Sequence, residues 1–277
     1  MRFLLNLAKY GLSLFLITGL LFSSGVFTIL LYAKLTGYEL MPETSPIIEA
    51  SAAEQQLAGT EQPSGDETDA PVLAKPEKPA SAMIDAPLVK QLPELPAGCE
   101  IVSLTMLLQY YGIEKDKMEL YEEMVKDPTP IRWSGGKIVY WGNPFTGYVG
   151  DATGKSRGYS IYHSALFPTL QSYVPTAVDL TGKDFDEIER KIAEGAPVVI
   201  WTTINFQEPT RWQEWDTPIG PIRATFQVHA VLLVGYDEEH VYVNDPYGGK
   251  KGLKLNKETF LKTWEALGKQ ALSYDNV

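Results

Sequence analysis

The chain has 277 residues, 44% of them hydrophobic, with 24 Lys and Arg against 35 Asp and Glu, one cysteine and three histidines. A single thiol excludes an internal disulfide, a cysteine-based zinc cluster and an iron–sulfur site, and the three scattered histidines lack ligand spacing, so neither a metal nor an organic cofactor is implied. The formal net charge of -11 argues against nucleic acid as a partner, because phosphate binding relies on clustered Lys and Arg.

The chain divides into three parts. Tyr10 to Ala33 is 24 residues without a charge, bounded by Lys9 and Lys34, which exceeds the ~20 residues needed to span a bilayer. A cleaved secretory signal is the alternative, but its apolar region usually runs only ~7 to 15 residues. The first good small-x-small site, Ala50-Ser51-Ala52, also lies far downstream. Residues 1–40 are therefore expected to be an uncleaved membrane anchor, with its helix at about 10–33. Arg2, Lys9 and the amino terminus precede the apolar run, whereas Lys34 alone precedes a run of acids. The positive-inside rule then leaves the amino terminus in the cytoplasm and the rest of the chain outside the cell membrane. Residues 41–88 carry nine acids against Lys75 and Lys78 and no aromatic residue. Such a stretch cannot bury enough apolar area to offset its ordering entropy, and it reads as a flexible, acidic, Pro- and Ala-rich tether.

Residues 89–277 hold every Trp, every His and the Cys, which places one aromatic-rich domain there. Glu100 to Tyr111 has apolar residues at 101, 104, 107, 108 and 111, the period of an amphipathic helix, and Gly112 supplies its stop. Further helices are expected at 115–125, 184–194 and 256–267. Strands are expected at Pro197 to Thr203, Phe226 to Gly235 and Val241 to Asn244, each a short run rich in Val, Ile or aromatics. Helix first and strands later is an α+β order. Between Pro128 and Tyr162 lies a long Gly-, Pro- and aromatic-rich stretch, either a lid or binding surface or an ordered cover packed by its own aromatics.

Cys99 follows Pro96-Ala97-Gly98 and directly precedes the first helix, so its sulfur should meet the positive end of a helix dipole, which favours thiolate. The alternative is a small buried hydrophobe, the usual fate of cysteine. Among the histidines, His163 lies in a Tyr- and Ser-rich segment and His240 among acids, while His229 sits inside Val228-His229-Ala230-Val231-Leu232-Leu233-Val234. An imidazole in a strand this apolar is either a satisfied core residue or a functional base, and in both cases it needs a partner. If the hairpin turn Gly235 to Glu239 centres at Asp237, antiparallel pairing sets Asp245 opposite His229, where a carboxylate can fix the ring's tautomer. Asp245 also precedes Pro246-Tyr247-Gly248-Gly249, so it can equally open a turn. Nucleophile, base and orienter then follow in the chain order of papain-like enzymes. An oxyanion donor can come from a side-chain amide just upstream together with the cysteine's own N–H. Gln91 is the only amide in the eight residues before Cys99.

Lys90-Gln91-Leu92-Pro93-Glu94-Leu95-Pro96-Ala97-Gly98-Cys99-Glu100, then Ser103-Leu104 and Leu107 to Gly112, resemble the extracytoplasmic branch of the double-glycine, bacteriocin-processing peptidase family of the papain-like clan. The likeness runs on through Gly142-Asn143-Pro144 to Gly147, Trp215 to Pro221, His229 to Gly235, Asn244-Asp245-Pro246 and Trp264. The resemblance implies a papain-like α+β fold in which the helix carrying the nucleophile packs on an antiparallel sheet. It also implies Cys99 as nucleophile, His229 as general base and acid, Asp245 as orienting acid and Gln91 as oxyanion donor. Transporter-borne members place Asp before the cysteine and Gly after it, with fewer residues between glutamine and cysteine. Here Gly98 precedes, Glu100 follows, and Gln91 lies eight positions before Cys99. The implied activity is a thiol peptidase acting on a peptide or protein substrate. Two rivals share the fold: a thiol-dependent amidase or transferase acting on cell-wall peptide, and a non-catalytic peptide-binding module.

Overall fold

A computed structural model describes residues 77–276. The expected anchor helix at 10–33 and the tether up to residue 76 lie outside the described residues. Among those described, no helix is long and apolar enough to cross a membrane.

In chain order the first elements are β1 (Ala82–Met83), α1 (Cys99–Tyr111), α2 (Lys117–Glu123), β2 (Lys126–Asp127), β3 (Arg132–Ser134), β4 (Lys137–Tyr140) and β5 (Tyr148–Val149). After them come α3 (His163–Tyr173), β6 (Ala177–Asp179), α4 (Phe185–Ala193), β7 (Val198–Thr203), β8 (Gln213–Thr217) and β9 (Gly220–Ala224). The chain ends with β10 (Val228–Tyr236), β11 (His240–Asp245), β12 (Lys250–Asn256), α5 (Lys257–Ala266) and β13 (Ala271–Tyr274). The architecture is α+β. Its main sheet has seven strands, with β12, β11, β10, β7, β13 and β6 side by side and β1 paired to the end of β10. Every pairing in this sheet is antiparallel. β7 and β10 form its middle, and their near-continuous Val, Ile and Leu runs are buried on both faces.

α1 packs on β10 and β7. It is more deeply set than its sequence period implies, because every residue from Cys99 to Leu108 is buried. A helix apolar on nearly all sides belongs inside a core rather than on a surface. The chain enters it through Gly98, where a Cβ would come within 2.7 Å of the Leu95 Cβ. The glycine therefore serves the packing of the entry turn against Leu95.

Three features of the fold go against or beyond the sequence-based expectation. Residues 77–88 belong to the folded unit rather than to the tether: β1 pairs with β10, and Ile84 and Ala86 are buried. Lys78 is held by ion pairs to Asp186 and Glu189. The polar, Pro-rich composition of this stretch hides two apolar anchors. The segment 128–162 is an ordered cover with its own strands, since β3 and β4 join β8 and β9 in a separate four-stranded sheet. Its packing comes from the rings of Trp141, Tyr159, Trp215 and Phe226, whose centroids lie 5.0 to 6.3 Å apart. Finally, α3 forms where no helix is expected, with Pro168 inside it.

Candidate active site

Cys99 is the first residue of α1 and is 8% exposed. The helix is tied to the sheet at this point, because the Ser103 hydroxyl donates to the carbonyl of Ala230, 3.1 Å away, and the Ala230 N–H points at the sulfur. Ala230 is the neighbour of His229, so the first turn of α1 lies over the beginning of β10. The thiol's own side-chain partner is Glu100, whose Oε2 lies 3.3 Å from Sγ. Burial, and then the adjacent Glu100 charge, push the thiol well above its ordinary range, outweighing the backbone N–H groups of Ala230 and Glu100. The helix terminus is present as expected, but desolvation and a neighbouring acid oppose the thiolate and favour the thiol.

His229 is 1% exposed and lies opposite Thr202 of β7. Its Nε2 is 2.9 Å from Asp245 Oδ1. A carboxylate only accepts, so the ring proton sits on Nε2 and leaves Nδ1 as the basic nitrogen. Phe206 and Tyr247 flank the imidazole edge-on, with centroids 6.2 and 6.4 Å away. Phe206 holds a left-handed φ of 57° in the turn after β7. Asp245 also accepts the N–H of Tyr247 at 3.0 Å, so it orients the ring and opens the turn at once. Burial works to raise the Asp245 carboxyl, but the His229 bond and the Gly248 and Tyr247 N–H groups hold it below the usual carboxylate range.

The register between these strands differs from the expected one. Leu232 pairs with Asn244 and Leu233 with Val243, and a bulge follows between Leu233 and Gly235. Continuing this register sets Asp245 opposite Val231, two residues along from His229 and on the same face. The pair meets diagonally, which lies within reach of an imidazole and a carboxylate.

Gln91 is 2% exposed. Its backbone N–H donates to the carbonyl of Pro246, 3.0 Å away, and its side-chain amide donates to the carbonyl of Pro96, also at 3.0 Å. It thereby joins the turn after Asp245 to the turn before Cys99. An amide carries two hydrogens, so one remains beyond the Pro96 bond, and the Oε1 atom is buried without a hydrogen-bond partner.

An aspartate partner does not by itself single out His229. His163 Nδ1 lies 2.7 Å from Asp179, and His240 Nδ1 lies 3.0 Å from Asp237. What distinguishes His229 is its burial, at 1% exposed, next to Ala230, whose backbone meets Cys99 and Ser103 of α1. Three further residues at the site escaped the sequence reading. Glu100 is fully buried beside the thiol, and Ser160 donates its hydroxyl to Glu100 Oε1. Asn244 anchors the strand that carries Asp245 by donating to the carbonyls of Ala86 and Pro87 at 3.1 and 3.0 Å. Trp215 and Trp264 are buried scaffold, their indole N–H groups bonded to the carbonyls of Gly142 and Gln270. Among the described residues, no group of three His, Cys, Asp or Glu side chains is gathered to hold a metal ion.

The model of the Peptidase_C39 like family matches residues 83–272. The "Uncharacterized protein YvpB" of Bacillus subtilis (strain 168) is 36% identical over 213 residues, spanning 76% of this chain and 82% of that protein. The crystal structure of a Bacillus anthracis protein described as a C39-like peptidase aligns with a TM-score of 0.64 at 39% identity, over 71% of this chain and 98% of that one. A double glycine motif protease from an AMS/PCAT transporter, solved with a leader peptide, aligns at 14% identity and a TM-score of 0.38 over 70% of this chain and 95% of that one. With a family model spanning nearly all of the folded part, and a structure of similar fold and sequence beside it, the chain belongs to the Peptidase_C39-like family.

Proposed function

We propose that this protein is a membrane-anchored, extracytoplasmic cysteine peptidase that cleaves peptide bonds through an acyl-enzyme on Cys99. The observation that carries the reading is the buried His229–Asp245 pair, 2.9 Å apart, with His229 on the strand whose next residue, Ala230, is hydrogen-bonded to the helix that presents the only thiol. Asp245 holds the Nε2 proton, so Nδ1 takes the proton of the Cys99 thiol as sulfur attacks the scissile carbonyl. The oxyanion is held by the second Gln91 amide hydrogen and by the Cys99 N–H, which belongs to the unpaired first turn of α1. His229 then returns its proton to the leaving amine, and water, giving a proton to the same nitrogen, cleaves the thioester and restores the thiol. Because burial favours the thiol, the base step carries the activation of sulfur.

A groove of about 680 Å³ is lined by Trp133, Val139, Arg157 and Trp212. Arg157 covers the ring of Phe226, three residues before His229, with its guanidinium carbon 4.3 Å from the centroid. The exposed Trp133, with the Arg157 guanidinium beside it, suits the side chains of an extended peptide. The apolar stretch at 10–33 and the acidic tether supply the anchor and the spacing from the membrane.

The test is a substrate profile. Wild type and Cys99→Ala are incubated with a peptide library and, separately, with peptidoglycan fragments, and products are read by mass spectrometry. Peptide products that vanish in Cys99→Ala support the reading. Cleavage confined to the cell-wall fragments assigns a cell-wall amidase instead, and no turnover of either set leaves a binding module. For the topology, alkaline phosphatase fused after Ala70 should be active outside the cell, and an inactive fusion overturns the extracytoplasmic assignment.

A further inference from the structure

The Cys99 thiol has a neighbour that acyl transfer does not use. Glu100 is the second residue of α1 and has no exposed surface. Its Oε2 lies 3.3 Å from Cys99 Sγ, and its Oε1 accepts the Ser160 hydroxyl. The Ile161 N–H also points at the carboxyl. Buried carboxylates are ordinarily paired with a cation. Here the ionisable groups around Glu100 are Cys99 on its own helix, Tyr148 on β5, and Tyr159 and Tyr162 on the segment leading into α3, while His229 sits on β10 next to Ala230, whose N–H points at the thiol. Among these described neighbours, only the imidazole can carry a positive charge.

We infer that Glu100 is a positioning residue that sets the ionisation of the nucleophile: as a carboxylate it accepts the S–H bond and holds Cys99 as a thiol, and once protonated it releases that restraint. Two effects act together. A negative charge a few ångströms from sulfur opposes a second negative charge there, and it also hydrogen-bonds the neutral form. The protonated acid does neither, and its O–H becomes a donor to thiolate. Only proton transfers are involved: the thiol proton passes to His229 Nδ1, and the proton on Glu100 comes from solvent. Burial raises the Glu100 carboxyl to about 7 against the opposing hydrogen bonds, so the change of state falls in the neutral range.

The inference rests on Cys99 being the nucleophile, and its test reads the thiol without any substrate, so a failed peptidase assay and a failed restraint are distinguishable. The 277-residue chain has one cysteine, so the rate of iodoacetamide incorporation from pH 5 to 10 reports that sulfur alone. In Glu100→Gln, which keeps the size and the hydrogen-bonding edge but not the charge, the apparent thiol pKa should fall by at least about one unit, roughly a tenfold faster reaction near pH 7. Ser160→Ala removes a donor that favours the carboxylate, so Glu100 stays protonated to higher pH and the thiol profile should move in the same direction by less. A Glu100→Gln profile superimposable on wild type, with an unchanged circular dichroism spectrum, overturns the inference. If Glu100→Gln does not fold, an unchanged Ser160→Ala profile overturns it equally.

Discussion

His229 and Asp245 touch, with Nε2 2.9 Å from Oδ1, although they are not opposite each other in the β10–β11 ladder. The contact depends on the carboxylate leaning along the sheet from the end of β11, and Gly248 leaves it the room. A Cβ at Gly248 would come within 2.4 Å of Asp245 Oδ2. Gly248→Ala should therefore drive the carboxylate off the imidazole. Asp245→Asn keeps an acceptor for the Tyr247 N–H but removes the charge. Both variants should lose about 10²-fold or more in kcat, by losing control of the His229 tautomer and of its charged state. Steady-state kinetics on a peptide identified by the substrate profile check this. Full activity in Gly248→Ala would show that the carboxylate is not needed where it lies.

Gln91→Ala should lower kcat by about 10²- to 10³-fold, equivalent to about 2.7 to 4 kcal/mol, with a smaller change in KM, because an oxyanion donor acts in the transition state. The same substitution removes a buried amide that bonds the Pro96 carbonyl, so some stability should be lost as well. Thermal melts run beside the kinetics separate the two. A change in KM alone would assign Gln91 to substrate binding instead.

The pieces of this site differ in how far they can be read from the sequence. Cys99 and His229 announce themselves locally, one at a helix boundary after a glycine, the other inside an apolar strand. Asp245 emerges as the partner of His229 even from a wrong register, because a shift of two residues preserves the face. Glu100 is not legible in the same way. An acid at the second position of a helix reads as a favourable first-turn charge, and its burial is decided by Ser160 and Ile161, about 60 residues on in the chain. The four-stranded sheet is hidden for a similar reason: Tyr140 of β4 pairs in parallel with Asp216 of β8, and no local period signals so distant a partner. Pro168 conceals α3, since proline ordinarily argues against a helix interior.

Glu100 also gives stability a distinctive pH dependence. Its carboxyl rises from an ordinary 4.5 to about 7 on folding, so between these values the folded state holds a proton that the unfolded state has released. Stability from this group is complete below about pH 4.5 and declines as pH rises to about 7, by on the order of 3 kcal/mol. Asp245 acts in the opposite sense and at lower pH, because its carboxyl is depressed in the fold: its contribution is present above about pH 4 and is lost on further acidification. Urea unfolding from pH 3 to 8 should therefore show a maximum on the acid side of neutrality. In Glu100→Gln the decline from pH 4.5 to 7 should flatten, and an unaltered decline would show that the carboxyl is not desolvated as described.

The start of the folded unit is open to a direct test, and composition and structure disagree about it. A chain beginning at residue 89 keeps the whole region that composition marks as a domain, whereas one beginning at residue 77 keeps β1, Ile84 and Ala86 as well. Burying the Ile84 side chain alone contributes about 1.5 to 3 kcal/mol. Removing residues 77–88 also strips the Asn244 amide of both its carbonyl partners and exposes the edge of β10 that β1 covers at Gly235 and Tyr236. Leaving a buried donor unpaired costs about 1 to 3 kcal/mol more. Against a total stability of about 5 to 15 kcal/mol these losses are large. The shorter chain should melt many degrees lower or aggregate through the bared strand edge, and since Asn244 precedes Asp245, its activity should fall further than its folded fraction does. Equal melting temperatures and equal kcat for the two chains would return residues 77–88 to the tether.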